Sequence, residues 1–163
     1  MARKIMTAIL CLSLLFSLTA CGATHAPNSE AVDSSESSSN ESVEGIKLKM
    51  STANTEVVIT LNDSKAAADL VKMLPLELTL IERNGFAKGM TLPQQLSSGE
   101  ATTRAYEIGD FGYWNAGPDL AIFYDDIYEQ TIVEVIPLGH ADSGAETMAN
   151  EEGTVRIEVL SEG

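Results

Sequence analysis

From Ile46 to the end of the chain, most of the apolar side chains recur at every second position, and this period restricts the fold more than any other feature. A period of two puts alternate residues on opposite faces of an extended backbone, the mark of strands with one buried face. Ile46, Leu48 and Met50 alternate with Lys47 and Lys49, and Val57, Ile59 and Leu61 alternate with Glu56, Val58 and Thr60. The polar stretch from Ser51 to Thr55 separates the two runs by a hairpin's length. Leu76, Leu78 and Leu80 alternate with Glu77 and Thr79 as a third strand. Further strands are expected over residues 102–108, with Arg104, Tyr106 and Ile108 on one face, and over residues 111–114, 120–124, 132–138 and 155–159. Between Asn84-Gly85 and Gly99 the chain reads as irregular. Gly109-Asp110 and Asn115-Ala116-Gly117-Pro118 are turn signals.

One segment breaks this rhythm. Asn62, Asp63 and Ser64 are N-cap types, and Ala67, Leu70, Val71 and Leu74 follow at helical spacing. The spacing predicts a helix over residues 65–74, stopped by Pro75, which lacks an N–H and disfavours helix before it. A helical turn is expected near residues 143–150. Eight strand candidates and one good helix mean a sandwich or a barrel with the helix over one end; the period does not choose between them.

The start of the chain is of another kind. Arg3 and Lys4 precede an apolar run from Ile5 to Leu18, shorter than the roughly 20 residues that span a bilayer. Leu18-Thr19-Ala20-Cys21 follows. Residues 1–22 resemble a bacterial lipoprotein signal. The resemblance implies cleavage before Cys21, a diacylglycerol on its thiol, and a chain held at the outer face of the cell membrane by more than one acyl chain, palmitate among them. The other reading is an ordinary secretory signal with a chance cysteine. Cys11 belongs to residues 1–20 and leaves with them. Residues 21–45 are rich in Ser and Glu and carry no Lys or Arg, and only Val32 and Val43 are bulky and apolar. Such a segment buries too little surface to offset chain entropy, so a disordered tether of about 25–30 Å is expected, followed by a domain over residues 46–163.

Charge and cysteine count exclude several functions. Acids outnumber bases 24 to 10, for a net charge of −14, whereas a nucleic-acid partner needs a Lys/Arg surface. Two cysteines make no disulfide scaffold, and no CxxC or His/Cys cluster suggests a metal. Gly109, Gly112 and Gly117 are not followed by the Lys-Ser/Thr pair of a phosphate loop, so no cofactor is expected.

The run from Gly109 to Tyr124, with Gly109-Asp110-Phe111-Gly112-Tyr113-Trp114 leading into Asn115-Ala116-Gly117-Pro118, resembles the bacterial cyclophilin-like domain family. So do residues 70–80 and Ile136-Pro137-Leu138-Gly139-His140. The resemblance covers about residues 46–160 and implies a closed eight-stranded antiparallel barrel with capping helices. Members carry a basic residue after the Leu-Gly pair, where this chain has His140. The family name raises peptidyl-prolyl isomerisation, in which an arginine donates toward the prolyl amide beside an apolar pocket. The spacing of that signature is absent here, and the isomerase candidates reduce to Arg83, three residues before Phe86, and Arg104. Their plainer reading is a strand-end charge for Arg83 and a cross-strand partner of an acid for Arg104.

The remaining constellations are weaker. His140-Ala141-Asp142-Ser143 has the residue types of a hydrolase triad, but triads assemble from distant segments, and a solvated loop is the reading preferred. Asp125, Asp126 and Glu129 lack the loop of a calcium site and read as an acidic turn. Alternation puts Phe111 and Tyr113 on one face of a strand and Gly112 and Trp114 on the other. With Tyr106 and Phe123, the aromatics Phe111, Tyr113 and Trp114 form a candidate groove for a peptide or small ligand, one face being core and the other half-wet. The sequence thus favours a membrane-tethered binding module over a folding enzyme acting on X-Pro bonds.

Overall fold

The computed structural model describes residues 42–161. The expected signal peptide (1–20), Cys21 and all but the last residues of the tether lie outside them. The described chain forms nine strands: β1 (Lys47–Ser51), β2 (Glu56–Leu61), β3 (Leu76–Thr79), β4 (Ile81–Arg83), β5 (Ala87–Thr91), β6 (Asp110–Trp114), β7 (Asp119–Phe123), β8 (Ile136–Ser143) and β9 (Thr154–Val159). A helix, α1 (Lys65–Met73), follows β2, and a short 3-10 helix, Ala145–Asn150, precedes β9.

Every paired neighbour is antiparallel, in the order β3-β9-β1-β2-β8-β6-β7-β5-β4. The two ends of this order are consecutive in the chain, joined through Leu80 alone. Leu76, Leu78 and Leu80 face inward and Glu77, Thr79 and Ile81 outward, so alternation runs through the junction. β3 and β4 are therefore one bent strand, whose first half pairs with β9 and whose second half pairs with β5. Counted this way the sheet is the expected eight-stranded barrel, nearly closed. Inside it, Leu48, Met50, Ile59, Phe111, Tyr113 and Leu138 are at most 1% exposed.

α1 forms where its apolar spacing and caps predicted. Ser64 Oγ accepts from Ala67 N at 3.1 Å, and Leu74, the residue before Pro75, is already extended. The first turn has no acid of its own; Glu100 supplies one from a loop, its two oxygens each accepting a helix N–H, from Lys65 and Ala66, at 2.8 Å. Ala66, Ala67 and Leu70 bury into the core. Asp69 accepts from the hydroxyl and N–H of Ser97, and Leu96 N–H donates to the Tyr113 hydroxyl. Helix and loop together thus cover the end of the barrel where Tyr113 lies.

Four sequence expectations change. The stretch after Asn84-Gly85 is irregular only beyond Thr91: Asn84 and Gly85 both have positive φ, 54° and 77°, and turn β4 into β5, as a tight hairpin requires, and residues 92–99 then form neither helix nor strand. Residues 102–108 are not a strand and make one bridge, Thr103 to Val135. The strand expected over 132–138 begins at Ile136 and runs on to Ser143. Order also starts before residue 46. Val43 is buried, Ser42 and the Val43 N–H bond Asp63, and Gly45 N–H donates to Leu61 O.

The core, rather than the caps, should dominate stability. Leu70→Ala is expected to cost about 2–5 kcal/mol in denaturant unfolding. Glu100→Ala, which removes only the helix cap, should cost about 1 kcal/mol.

Candidate functional site

The site grows from a row of small residues. Across three adjacent strands, Gly89 of β5, Ala121 of β7 and Gly112 of β6 stand in register on the outer face of the barrel. A Cβ on Gly89 would fall 2.6 Å from Arg83 Nε, and one on Gly112 would fall 2.2 Å from Val135 Cγ1. Both glycines therefore let larger side chains lie flat against the sheet. A second apolar layer follows: Phe86, Ala87, Ala121, Phe123 and Val135 are buried outside the barrel, with Tyr106 and Trp114 packed against them.

Two segments, residues 101–108 and 124–135, hold this layer down. Thr103 and Val135 exchange both backbone hydrogen bonds, Arg104 Nε donates to Thr131 O at 2.8 Å, and Tyr128 N–H donates to the Tyr106 hydroxyl. The rings interlock: Tyr106 and Phe123 centroids are 4.7 Å apart, Phe86 and Tyr106 5.2 Å, and Tyr128 meets Phe86 edge-on at 5.4 Å.

Beside the rings a groove of about 450 Å³ opens, lined among others by Arg83, Phe86, Trp114, Thr131, Ile132 and Val133. Ile132 at its lip is 82% exposed. A neighbouring hollow of about 410 Å³ shares Asn84, Phe86 and Ile132 with it and adds Tyr128 and Gln130. Arg83 is fixed in place: its Nη2 donates to Asp119 Oδ2 at 2.9 Å, and its guanidinium lies 5.7 Å from the centre of the Trp114 ring.

The sequence candidates are divided by this geometry. Tyr106, Trp114 and Phe123 come together on the outer layer, joined by Arg83. Phe111 and Tyr113 point into the barrel interior and are at most 1% exposed, so they line no surface groove. Both faces of β6 are apolar, and the inner one claims these two. Arg83 is not a free strand-end charge but the partner of Asp119. Arg104 finds a backbone carbonyl rather than a cross-strand acid. His140, Asp142 and Ser143 belong to the end of β8 rather than to a loop. His140 Nδ1 lies 3.0 Å from Asp110, while Asp142 is bonded by Lys47 and Thr60, so no triad converges. Asp125, Asp126 and Glu129 join no metal-binding cluster, and none exists among the described residues.

A second polar centre was not foreseen. Lys88 faces inward at one mouth of the barrel and is 4% exposed. Its Nζ donates to Glu82 Oε2 at 2.8 Å, and the Tyr124 hydroxyl donates to Glu82 Oε1 at 2.8 Å. Burial pushes the Glu82 carboxyl up, but its bonds from Lys88, Tyr124 and the Gly85 N–H outweigh this and leave it below the usual glutamate value. Burial, then the hydrogen bond to Glu82 and its charge, push the Tyr124 phenol up to about 12. The only signal for this centre was a lysine at an inward position of the short run Ala87–Thr91, which without its strand assignment has no inside.

The fold is a nearly closed antiparallel barrel with one end covered by a helix, the architecture that the family resemblance implies. The family model described as the Cyclophilin-like family matches residues 50–159, and the chain belongs to that family. Among solved structures, the hypothetical protein AF2241 from Archaeoglobus fulgidus is similar with a TM-score of 0.62 at 17% identity, covering 75% of this chain and 99% of that one. McbB, in a structure of its complex with tryptophan, is similar with a TM-score of 0.54 at 11% identity. That likeness covers 71% of this chain and 45% of McbB, so the chain spans under half of McbB's length. At these identities the likeness is one of fold. No curated protein matches the sequence.

Two expected outcomes follow from the geometry. Tyr124 contributes stability that is complete below pH 10, its ordinary value, and is lost as pH rises toward about 12. Tyr124→Phe should therefore flatten the fall in unfolding free energy over that interval. Gly89→Ala should lift Arg83 off the sheet and change the emission of Trp114, with less than about 1 kcal/mol lost.

Proposed function

We propose that this protein is a membrane-tethered, extracytoplasmic binding module that takes a peptide or small ligand in the outer-wall groove between Trp114 and Ile132. The observation that carries the reading is the groove's lip: Ile132 is 82% and Val133 40% exposed, beside a ring-lined hollow of about 450 Å³. An isolated exposed isoleucine needs no explanation, but an isoleucine and a valine together at the rim of an aromatic cleft form the apolar surface that ligand sites use. The tether follows from Leu18-Thr19-Ala20-Cys21: lipid on Cys21 would hold the chain at the outer face of the cell membrane, and residues 22–41 would carry the domain clear of it.

A second reading, a peptidyl-prolyl isomerase at the cell envelope, has one observation in its favour, an arginine beside an apolar groove. Against it, Arg83 is already engaged by Asp119 and stacked on Trp114. Lowering an amide rotation barrier of about 18–20 kcal/mol needs a donor free to follow the twisting amide.

Trp114 is the single tryptophan, so its fluorescence reports the groove directly. Titration with apolar peptides should change that emission, and Ile132→Asp should weaken binding at least about tenfold, the worth of one buried aliphatic side chain. Proline isomerisation in a test peptide should proceed at its uncatalysed rate. Acceleration that disappears in Arg83→Ala would replace the binding module with the enzyme. Cys21→Ser should release the protein from the membrane fraction; retention there would remove the lipid anchor from the proposal.

A further inference from the structure

The segment that carries the groove's lip, residues 124–135, contains Asp125, Asp126, Glu129 and Glu134 and no Lys or Arg. Asp126, Glu129 and Glu134 are exposed. Among the described residues none of the four belongs to an ion pair, whereas both cations of the β4–β5 hairpin are matched, Arg83 by Asp119 and Lys88 by Glu82. Arg104 packs on the segment through its Nε bond to Thr131 O, but it too pairs with none of them. Its charge is offset by Glu107, exposed on the same stretch.

The same twelve residues hold most of the uncovered apolar surface. Ile127 is 54%, Tyr128 49%, Ile132 82% and Val133 40% exposed. They gather about the β4–β5 turn. Ile127 Cδ1 lies 3.8 Å from where a Cβ on Gly85 would stand, Tyr128 meets Phe86 edge-on, and Ile132 lines both hollows. One short segment therefore presents apolar surface and unmatched negative charge together. Nucleic acid and anionic lipid headgroups are repelled by that charge. A second copy of the chain would set four carboxylates against four. A neutral molecule would leave their attraction unused.

From this charge complementarity we infer that the groove receives a basic peptide segment of another protein. An aliphatic or aromatic side chain sits against Phe86, Ile132 and Val133, and neighbouring Lys or Arg side chains lie over the carboxylates of residues 125–134. The inference rests on the groove being the binding site and adds the charge of what enters it. Exposed carboxylates each contribute little in contact; they act at a distance, raising the rate of encounter until salt screens them, while the apolar seat sets the rate of escape.

Three acetylated and amidated peptides share one apolar half and differ in charge: Lys-Lys-Phe-Leu, Gln-Gln-Phe-Leu and Glu-Glu-Phe-Leu. Their binding to the full-length protein is read from Trp114 emission and by calorimetry. At about 0.1 M salt, where charges are felt over about 10 Å, the Lys peptide should bind about tenfold more tightly than the Gln peptide, through faster association, and the Glu peptide more weakly than both. At about 1 M salt, where that length falls to about 3 Å, the three should converge. A variant combining Asp125→Asn, Asp126→Asn, Glu129→Gln and Glu134→Gln keeps an acceptor at each position, and with unchanged circular dichroism it should bind all three peptides as the unaltered protein binds the Gln peptide. Equal affinities at low salt, or a Lys preference that this variant keeps in full, would overturn the charge assignment; if Ile132→Ser still weakened every peptide, the groove itself would stand. Lys-peptide binding that Ile132→Ser leaves unchanged would put the cation elsewhere on the acidic surface and overturn the inference. No emission change and no heat of binding with any of the three would remove both.

Discussion

A single extended run, residues 76–83, has to serve both open edges of the sheet. Its first half gives its hydrogen bonds to β9 and its second half to β5, with the Leu80 N–H bonded to Gly153 O between them. An edge strand left unpaired invites association with other chains, and closing the sheet on itself removes it. The bend also places everything of chemical interest. Because alternation is not broken at Leu80, Glu82 turns inward to meet Lys88 at the barrel mouth, and Arg83 turns outward onto Gly89 and Trp114. A one-residue slip in this run would exchange the two, burying a guanidinium among leucines and turning Glu82 away from the buried lysine.

The outer wall explains where a period-two reading succeeds and where it fails. β1, β2 and β9 have one wet face, and Lys47, Lys49, Arg156 and Glu158 alternate cleanly with core residues. These strands are legible in the sequence. β5 is covered on both sides, with four of its five residues buried, and its outward positions must be small because Arg83 and the aromatic layer lie on them. Ala87 and Gly89 meet that need and have poor strand propensity, so the run reads as irregular. The converse error occurs over residues 102–108 and 132–135. Their apolar residues alternate because they pack on, or project from, the aromatic layer, not because they pair in a ladder.

The same two-sided burial limits what could be read of the site. Alternation correctly separates Phe111 and Tyr113 from Gly112 and Trp114. It cannot tell which pair faces the core, because in a wall covered on both sides each face is apolar. What decides is the size of the opposing residue. Gly112 accommodates Val135 at a distance no Cβ would allow, and that is a tertiary fact with no trace in the local pattern. Arg83 is distant in sequence from Trp114 and Phe123, and it meets them only because β4, β5, β7 and β6 are consecutive in the sheet.

Lys88 and Arg83 show two ways for such a barrel to hold a cation. Dehydrating an ion pair costs more than its attraction returns unless further hydrogen bonds complete it. At the mouth, Lys88 is 5% exposed but the side chain of Glu82 is 49% exposed, and Glu82 also takes the Tyr124 hydroxyl and the Gly85 N–H. The Glu82 carboxylate is thus bonded from β5, from Tyr124 and from the Gly85 N–H of its own hairpin, which suits a structural role. On the wall, the balance is incomplete. Asp119 neutralises Arg83, yet Nε and the indole N–H beneath it are dehydrated and unmatched. Of the two cation–carboxylate pairs that β4 carries, the inner one is completed by further donors to its acid, and the outer one leaves two N–H groups unmatched where Arg83 lies over Trp114.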